Sequence, residues 1–387
     1  MSPRTDNPHE QDRAPQQPAK PVGSRVHAGL KWVTLSLAWI RSLQFVVTIV
    51  LARLLEPEAF GLVALALAVT MILTALREVG LGQALIQRPD RGAADTLRAV
   101  NTMFFLTMGL NLAFFCGAQA GAPSLAALLP RMGDEVVPVL RWMLIPLTFS
   151  AFGSTAAFLL QRRLEFGRQS LADGAAALAN ATVAISCAIA GCGVWSIVAG
   201  LLAGRLVNTA LLVYFVGWLP RMQFCRQTAR ELFRFGKYMW LFGLVDTAGR
   251  QLDRFVLAGL LGAGPLGLYN LAYNFCRMPA NQVGSLVNRI AFPALARKQG
   301  DKAALGAGFM KALSHVTVLA MPFGFGVCAV ASEFVPVVYG DKWAAASPIM
   351  MVFAFYGTLL AVSSVAGPVL QAMGRPNVIF YTGLAHL

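Results

Sequence analysis

The sequence is poor in charge, and poorest in acidic charge. Only 13% of its 387 residues are charged, and 18 acidic side chains stand against 32 lysines and arginines. Soluble domains average about a quarter charged, so a soluble globular enzyme is a poor starting point. Cysteine is sparse and badly spaced for chemistry. Residues 116, 187, 192, 225, 276 and 328 lie mostly inside apolar runs and form no CxxC pair, so they read as small packing residues, not metal ligands or a disulfide frame. Paired catalytic carboxylates, a nucleophile triad and a phosphate-binding glycine loop are not expected. The longest loop opposite the N-terminus is under about twenty residues, which leaves little room for a catalytic domain. The expectation is therefore a protein without cofactor or metal that is not an enzyme.

What the chain has in abundance is apolar sequence. Hydrophobic residues make up 57% of it and come in runs of spanning length. About twenty apolar residues are needed to cross roughly 30 Å of hydrocarbon as a helix. Lipid offers no hydrogen bonds to the backbone, so such runs are helices. The expected spans are 32–52, 60–79, 98–118, 137–160, 170–191, 194–217, 238–260, 265–287, 309–331 and 345–372, with a further start at 376. The segment APSLAALLP (122–130) reads as a separate interfacial helix, and QTARELFRFGKYMW (227–240) as an amphipathic lead-in on the membrane surface. Residues 1–30, rich in Pro, Gln and charge, read as a disordered cytoplasmic tail. They do not form a secretory signal, because a stretch of spanning length without a cleavage site follows them.

The formal net charge of +14 invites a nucleic-acid reading, but its distribution favours a membrane. Loops on the side of the N-terminus hold 21 lysines and arginines, and the opposite loops only Arg53, Arg131 and Lys342. Cations are retained on the cytoplasmic side. The N-terminus is therefore expected in the cytoplasm, and nucleic acid is not an expected partner.

Positions 50–62 read VLARLLEPEAFGL and positions 256–268 read VLAGLLGAGPLGL, an ungapped offset of 206 with seven identities in thirteen. Each copy ends one span and starts the next, and six spans separate them. An even number keeps both copies facing the same way, the mark of two parallel six-helix halves related by an axis along the membrane normal. The expected division is a tail over 1–30, a first lobe over 31–220 and a second over 221–387. Two lobes with a seam suit an alternating-access transporter.

The stretch LARLLEPEAFGLVALALAVTMILTALREVGLGQALIQRPD (51–90) carries an RLLxPxxFG turn, an acidic residue at the end of its span and an LGxALIQR exit. LGLYNLAYNFCRMPANQVGSLVNRIAFPALARKQGD (266–301) ends in FPALAR. Both hairpins resemble those of Wzx-type polysaccharide flippases of the multidrug/oligosaccharidyl-lipid/polysaccharide exporter superfamily, nearest the colanic-acid-exporter branch, from about residue 30 onward. The resemblance implies an all-α polytopic fold of MATE- and MurJ-like exporter architecture. It also implies movement of an undecaprenyl-diphosphate-linked oligosaccharide across a bacterial inner membrane for exopolysaccharide, capsule or lipopolysaccharide synthesis. Membrane lipid, a polysaccharide polymerase and export machinery are the implied partners. Members of the family usually have twelve or more spans, so the second lobe is expected to be incomplete, with about five helices. A cation-coupled multidrug exporter of the same superfamily is the alternative.

Moving a sugar diphosphate through oil requires polar, cationic surroundings, since each unsatisfied polar group costs several kcal/mol in hydrocarbon. Eight cations fall inside the spans: Arg41, Arg77, Arg141, Arg205, Arg250, Arg254, Arg277 and Lys311. A mid-bilayer arginine costs about 2.5–3.5 kcal/mol on the lenient scale. Arg77, Arg141 and Lys311 sit near span ends and read as snorkelling to the interface. Arg41, Arg205, Arg250, Arg254 and Arg277 are the candidates to line a substrate cavity. Asp246, Arg250, Asp253 and Arg254 share one helical face, open either to mutual neutralisation or to a free cation that meets phosphate. Arg277 lies mid-span, close to Asn274, Pro279, Asn281 and Gln282. Asp246, Asp253 and His315 are the candidates to couple transport to protons. Asp173 reads as structural.

Overall fold

A computed structural model describes residues 22–77, 93–163, 165–223, 225–278 and 302–366. Among them there is no strand. The helices, in chain order, are α1 (Val22–Leu54), α2 (Pro57–Arg77), α3 (Ala93–Leu128), α4 (Val136–Met143), α5 (Pro146–Arg162), α6 (Phe166–Ile189) and α7 (Val194–Val216). They continue with α8 (Arg226–Leu261), α9 (described over 263–278), α10 (Lys302–Tyr339) and α11 (Ala346–Ser363). Eight segments are long and apolar enough to cross a membrane, with α4 and α5 together forming one of them. We call the face where α1 begins proximal and the face where it ends distal.

Local chemistry explains the boundaries. Pro57 opens α2 at a position whose missing N–H would have had no helical partner, and it keeps Glu56 out of α1. Pro146 separates α4 from α5, and Leu147 and Thr148 take short bonds back to Leu144 and Ile145. Gly191 and Gly193 turn α6 into α7 with positive φ of 79° and 56°. Small residues then let α6 and α7 approach closely: Gly200 faces Ala184 and Asn180, and Gly204 faces Ala176.

Three expectations need correction. Residues 1–21 of the expected tail lie outside the described residues, but from Val22 the chain is already helical. A span that has nucleated adds one bond per residue fixed, and α1 is helical from Val22. The stretch 122–128 is not a separate interfacial helix; α3 runs through Pro123 to Leu128. Ala122, Leu125 and Ala126 pack in the core between the lobes, which offsets the backbone bond lost at proline. Nor is 227–240 a separate lead-in: α8 is continuous over 36 residues, about 54 Å at 1.5 Å per residue. No proline interrupts it. The expected spans 265–287 and 345–372 are described only in part, and the start at 376 lies outside the described residues.

The first six spans form one lobe and α8 onward the other, and two apolar clusters seal the seam. One joins Val47, Leu51, Leu62 and Leu140 to Ala258, Ala263 and Leu266. The other joins Ala52 to Leu271, Val335, Tyr339, Trp343 and Met350. The repeat is visible as a crossing of the two hairpins, in which Gly61 meets Ala263 and Gly267 meets Pro57. These are the same two positions of each copy, 206 apart. Arg53 donates to the carbonyls of Val337 and Val338, Arg131 to that of Leu260, and the Trp343 indole N–H to that of Ala52 at 2.8 Å. Lys342 meets Glu56 at 3.4 Å. On the proximal side the Trp240 indole N–H reaches the Leu76 carbonyl at 2.7 Å. The linker between the lobes is strapped to the first: the Arg221 and Cys225 N–H groups donate to Asn101 and Thr102, both fully buried on α3.

Candidate functional site: an arginine–tyrosine cluster in the second lobe

The polar face of α8 turns toward α9 and α11. Arg250 Nε lies 3.0 and 2.9 Å from the two carboxylate oxygens of Asp246, one helical turn away. That half of the face is self-neutralised. Asp253 takes no arginine side chain; its oxygens accept the Arg254 main-chain N–H at 2.8 Å and the Tyr269 hydroxyl.

Arg254 and Arg277 are therefore left without a carboxylate among the described residues. Arg254 is 8% exposed and donates to Gln251, and Arg277 donates to the Tyr273 hydroxyl. Both guanidiniums lie over the ring of Tyr273, with Cζ 5.4 and 5.2 Å from its centroid. The Tyr269 ring stacks on Tyr273 at 5.7 Å, and Phe353 of α11 closes the group edge-on at 5.3 Å. The Nε groups of Arg254 and Arg277 are buried without any hydrogen-bond partner. A ring face attracts a cation by about 0.5–2 kcal/mol, which holds two like charges together without neutralising either.

The other candidates lie elsewhere. Arg41 is exposed on α1 and donates to Gln44 at 3.3 Å. Arg205 is exposed on α7 and lies within electrostatic reach of Asp173, which accepts from Asn208 at 2.8 Å. That first-lobe group balances its own charge. His315 is exposed on α10, with Nδ1 2.6 Å from the Lys311 carbonyl of its own helix. Asn274 bonds Asn270 on α9, while Pro279, Asn281 and Gln282 lie outside the described residues.

Arg77 corrects the sequence reading. It does not snorkel; it is buried and donates to Asn111 of α3 and Ser150 of α5 at 3.1 and 2.8 Å. Its place near a span end concealed this. Asn111 and Ser150, two polar residues inside apolar runs, were the available signal. One glycine pattern also needs comment. Gly262, Gly264 and Gly267 have GxGxxG spacing, but they join two helices, with no strand before them. The space a phosphate would need is filled by Arg131, Glu58 and Pro57.

Two cavities lie away from the arginines. One, of about 360 Å³, is apolar and lined by Trp142, Trp195 and Leu202. The other, of about 400 Å³, lies at the distal ends of α1 and α6 beside Glu56, Glu58 and Glu135. The expected cationic lining belongs to neither.

The fold is a two-lobed, multi-pass helical bundle. It matches the lipid II flippase MurJ in its inward closed conformation with a TM-score of 0.74 at 11% identity, over 91% of this chain and 78% of that one. An inward-facing MATE-family multidrug resistance transporter matches with a TM-score of 0.62 at 15% identity, over 86% and 81%. Residues 50–348 match the polysaccharide biosynthesis protein family, to which the chain belongs. Among curated relatives, the lipopolysaccharide biosynthesis protein WzxC of Escherichia coli K12 is 27% identical over 91% of this chain and 71% of its own length. The succinoglycan biosynthesis transport protein ExoT of Rhizobium meliloti is 29% identical over 91% and 70%.

Proposed function

We propose that the chain carries an undecaprenyl-diphosphate-linked oligosaccharide from the cytoplasmic to the outer leaflet of a bacterial inner membrane, by alternating access between its lobes. In this reading the N-terminus is cytoplasmic, the distal face is the outer one, and a polysaccharide polymerase and export machinery take up the product. The lipid tail stays in the bilayer while the diphosphate and sugars cross. The chain does no covalent chemistry on them.

One observation carries the reading: two arginines, Arg254 buried and Arg277 half-buried, lie over Tyr273 with no acid to neutralise them among the described residues and with buried Nε donors unused. A diphosphate supplies the missing acceptors, and guanidinium forks match phosphate oxygens two at a time. The family and the names of the curated relatives support a polysaccharide cargo. A multidrug exporter of cations is disfavoured by a site whose excess charge is positive.

The test is deletion of the complete gene in a strain lacking paralogues, followed by complementation. Lipid-linked repeat units should accumulate facing the cytoplasm and surface polysaccharide should disappear. Arg254→Ala with Arg277→Ala should fail to restore it at equal expression. Normal polysaccharide in the deletion strain defeats the reading, and resistance to cationic dyes on expression transfers it to the drug-exporter class.

A further inference from the structure

The hairpin crossing has an unusual construction. A Cβ on Gly61 would stand 1.8 Å from the Ala263 carbonyl oxygen, and one on Gly267 would stand 1.9 Å from that of Pro57. Positions 61 and 267 are equivalent in the repeat, as are 57 and 263. Each copy therefore presents its glycine to the same backbone carbonyl of the other. This is the self-complementary contact that a two-fold axis generates, here within one chain. The obstructing atoms are backbone, so no side-chain rotation relieves the overlap. The crossing lies at the distal ends of α1 and α8, within the apolar seam, whose core includes Ala263.

We propose that this reciprocal glycine–carbonyl crossing is the distal gate. Its closure requires the absence of a side chain at both positions, and its opening is the step that exposes the seam to the distal side. The proposal rests on the alternating-access reading above. A Cβ at either glycine excludes the closed arrangement while leaving an open one unstrained, so it shifts the population toward open. Arg53, Arg131 and the Lys342–Glu56 pair bridge the lobes around the crossing and part with it.

A reporter cysteine tests this. Ala258 is fully buried in the seam core, close beneath the crossing, and its replacement by cysteine changes little volume. In an otherwise cysteine-free full chain in membranes, A258C should resist a membrane-impermeant maleimide applied from the distal side. Adding G61A or G267A should raise its labelling rate roughly tenfold or more, a shift worth about 1.4 kcal/mol. G243A, where an added Cβ meets open space, should leave the rate unchanged. Equal protection in G61A, G267A and G243A overturns the proposal. If the glycine variants fail to fold, E56C with K342C, joined by a cleavable thiol crosslinker, decides the matter. Transport should stop when the pair is joined and resume on reduction, and transport that continues through the crosslink overturns the gate. Labelling does not depend on the cargo, so a wrong cargo and a wrong gate give different results.

Discussion

The two lobes handle intramembrane charge in opposite ways. In the first, Arg205, Asp173 and Asn208 share an exposed group between α6 and α7 that balances itself. In the second, Arg254 and Arg277 are held against one tyrosine ring while the nearest acids are engaged elsewhere, Asp246 by Arg250 and Asp253 by Tyr269. Counting charges along the chain does not separate these cases, because both lobes carry arginines and aspartates within their helices. Pairing in space does. An arginine with its own carboxylate has little left to offer an anion, whereas one held by a ring face keeps its full charge.

The largest expected effect tests that contrast directly. Arg254→Ala and Arg277→Ala should each cut transport roughly tenfold to a hundredfold, the value of a charge-assisted hydrogen bond of about 1.5–3 kcal/mol. The assay is polysaccharide output per copy of protein. Arg205→Ala should leave it within about twofold, as expected for an exposed charge with an acid in electrostatic reach, and equal losses at 205 and 254 would erase the distinction between the lobes.

Arg77→Ala should act on stability. It strands the buried Asn111 side-chain oxygen, at about 1–3 kcal/mol for a group left unsatisfied, while the Ser150 hydroxyl keeps the Asn111 amide as a donor. A lower midpoint of thermal unfolding in detergent is the measurement, and an unchanged midpoint would return Arg77 to the membrane surface. A smaller effect is expected of Tyr273→Phe, which keeps the ring and removes the acceptor for Arg277. Transport should fall by roughly threefold to tenfold, consistent with a hydrogen bond worth about 0.5–1.5 kcal/mol, whereas Tyr273→Leu should approach the arginine variants. The smallest is His315→Ala. Its ring bonds only its own helix among the described residues, so the pH dependence of transport should not move. A shifted pH profile would restore His315 as a coupling group.

Much of the architecture was legible before any coordinates. Apolar runs are long and lipid enforces helices, so span positions follow from composition. The repeat at an offset of 206 located both hairpins that meet in the crossing. Boundaries were less legible where two forces compete. Pro123 suggested a break that core packing overrode, and residues from Val22 are helical where composition alone assigned a tail. The site was half legible. The α8 spacing placed Asp246, Arg250, Asp253 and Arg254 on one face but left neutralisation and freedom as open alternatives. The structure answers with both, giving Asp246 to Arg250 and leaving Arg254 without a carboxylate among the described residues. Tyr269, Tyr273 and Phe353 escaped notice because aromatic residues in an apolar span are indistinguishable from core.

The sequence by itself determined that this is a multi-pass helical membrane protein with a twofold internal repeat and a strong excess of cations. Each of those properties is additive along the chain and needs no knowledge of neighbours. Only the tertiary structure decided which arginines keep their charge and where the repeat touches itself. Both depend on distances of a few ångströms between residues many positions apart, and pairing energy is set by separation in space.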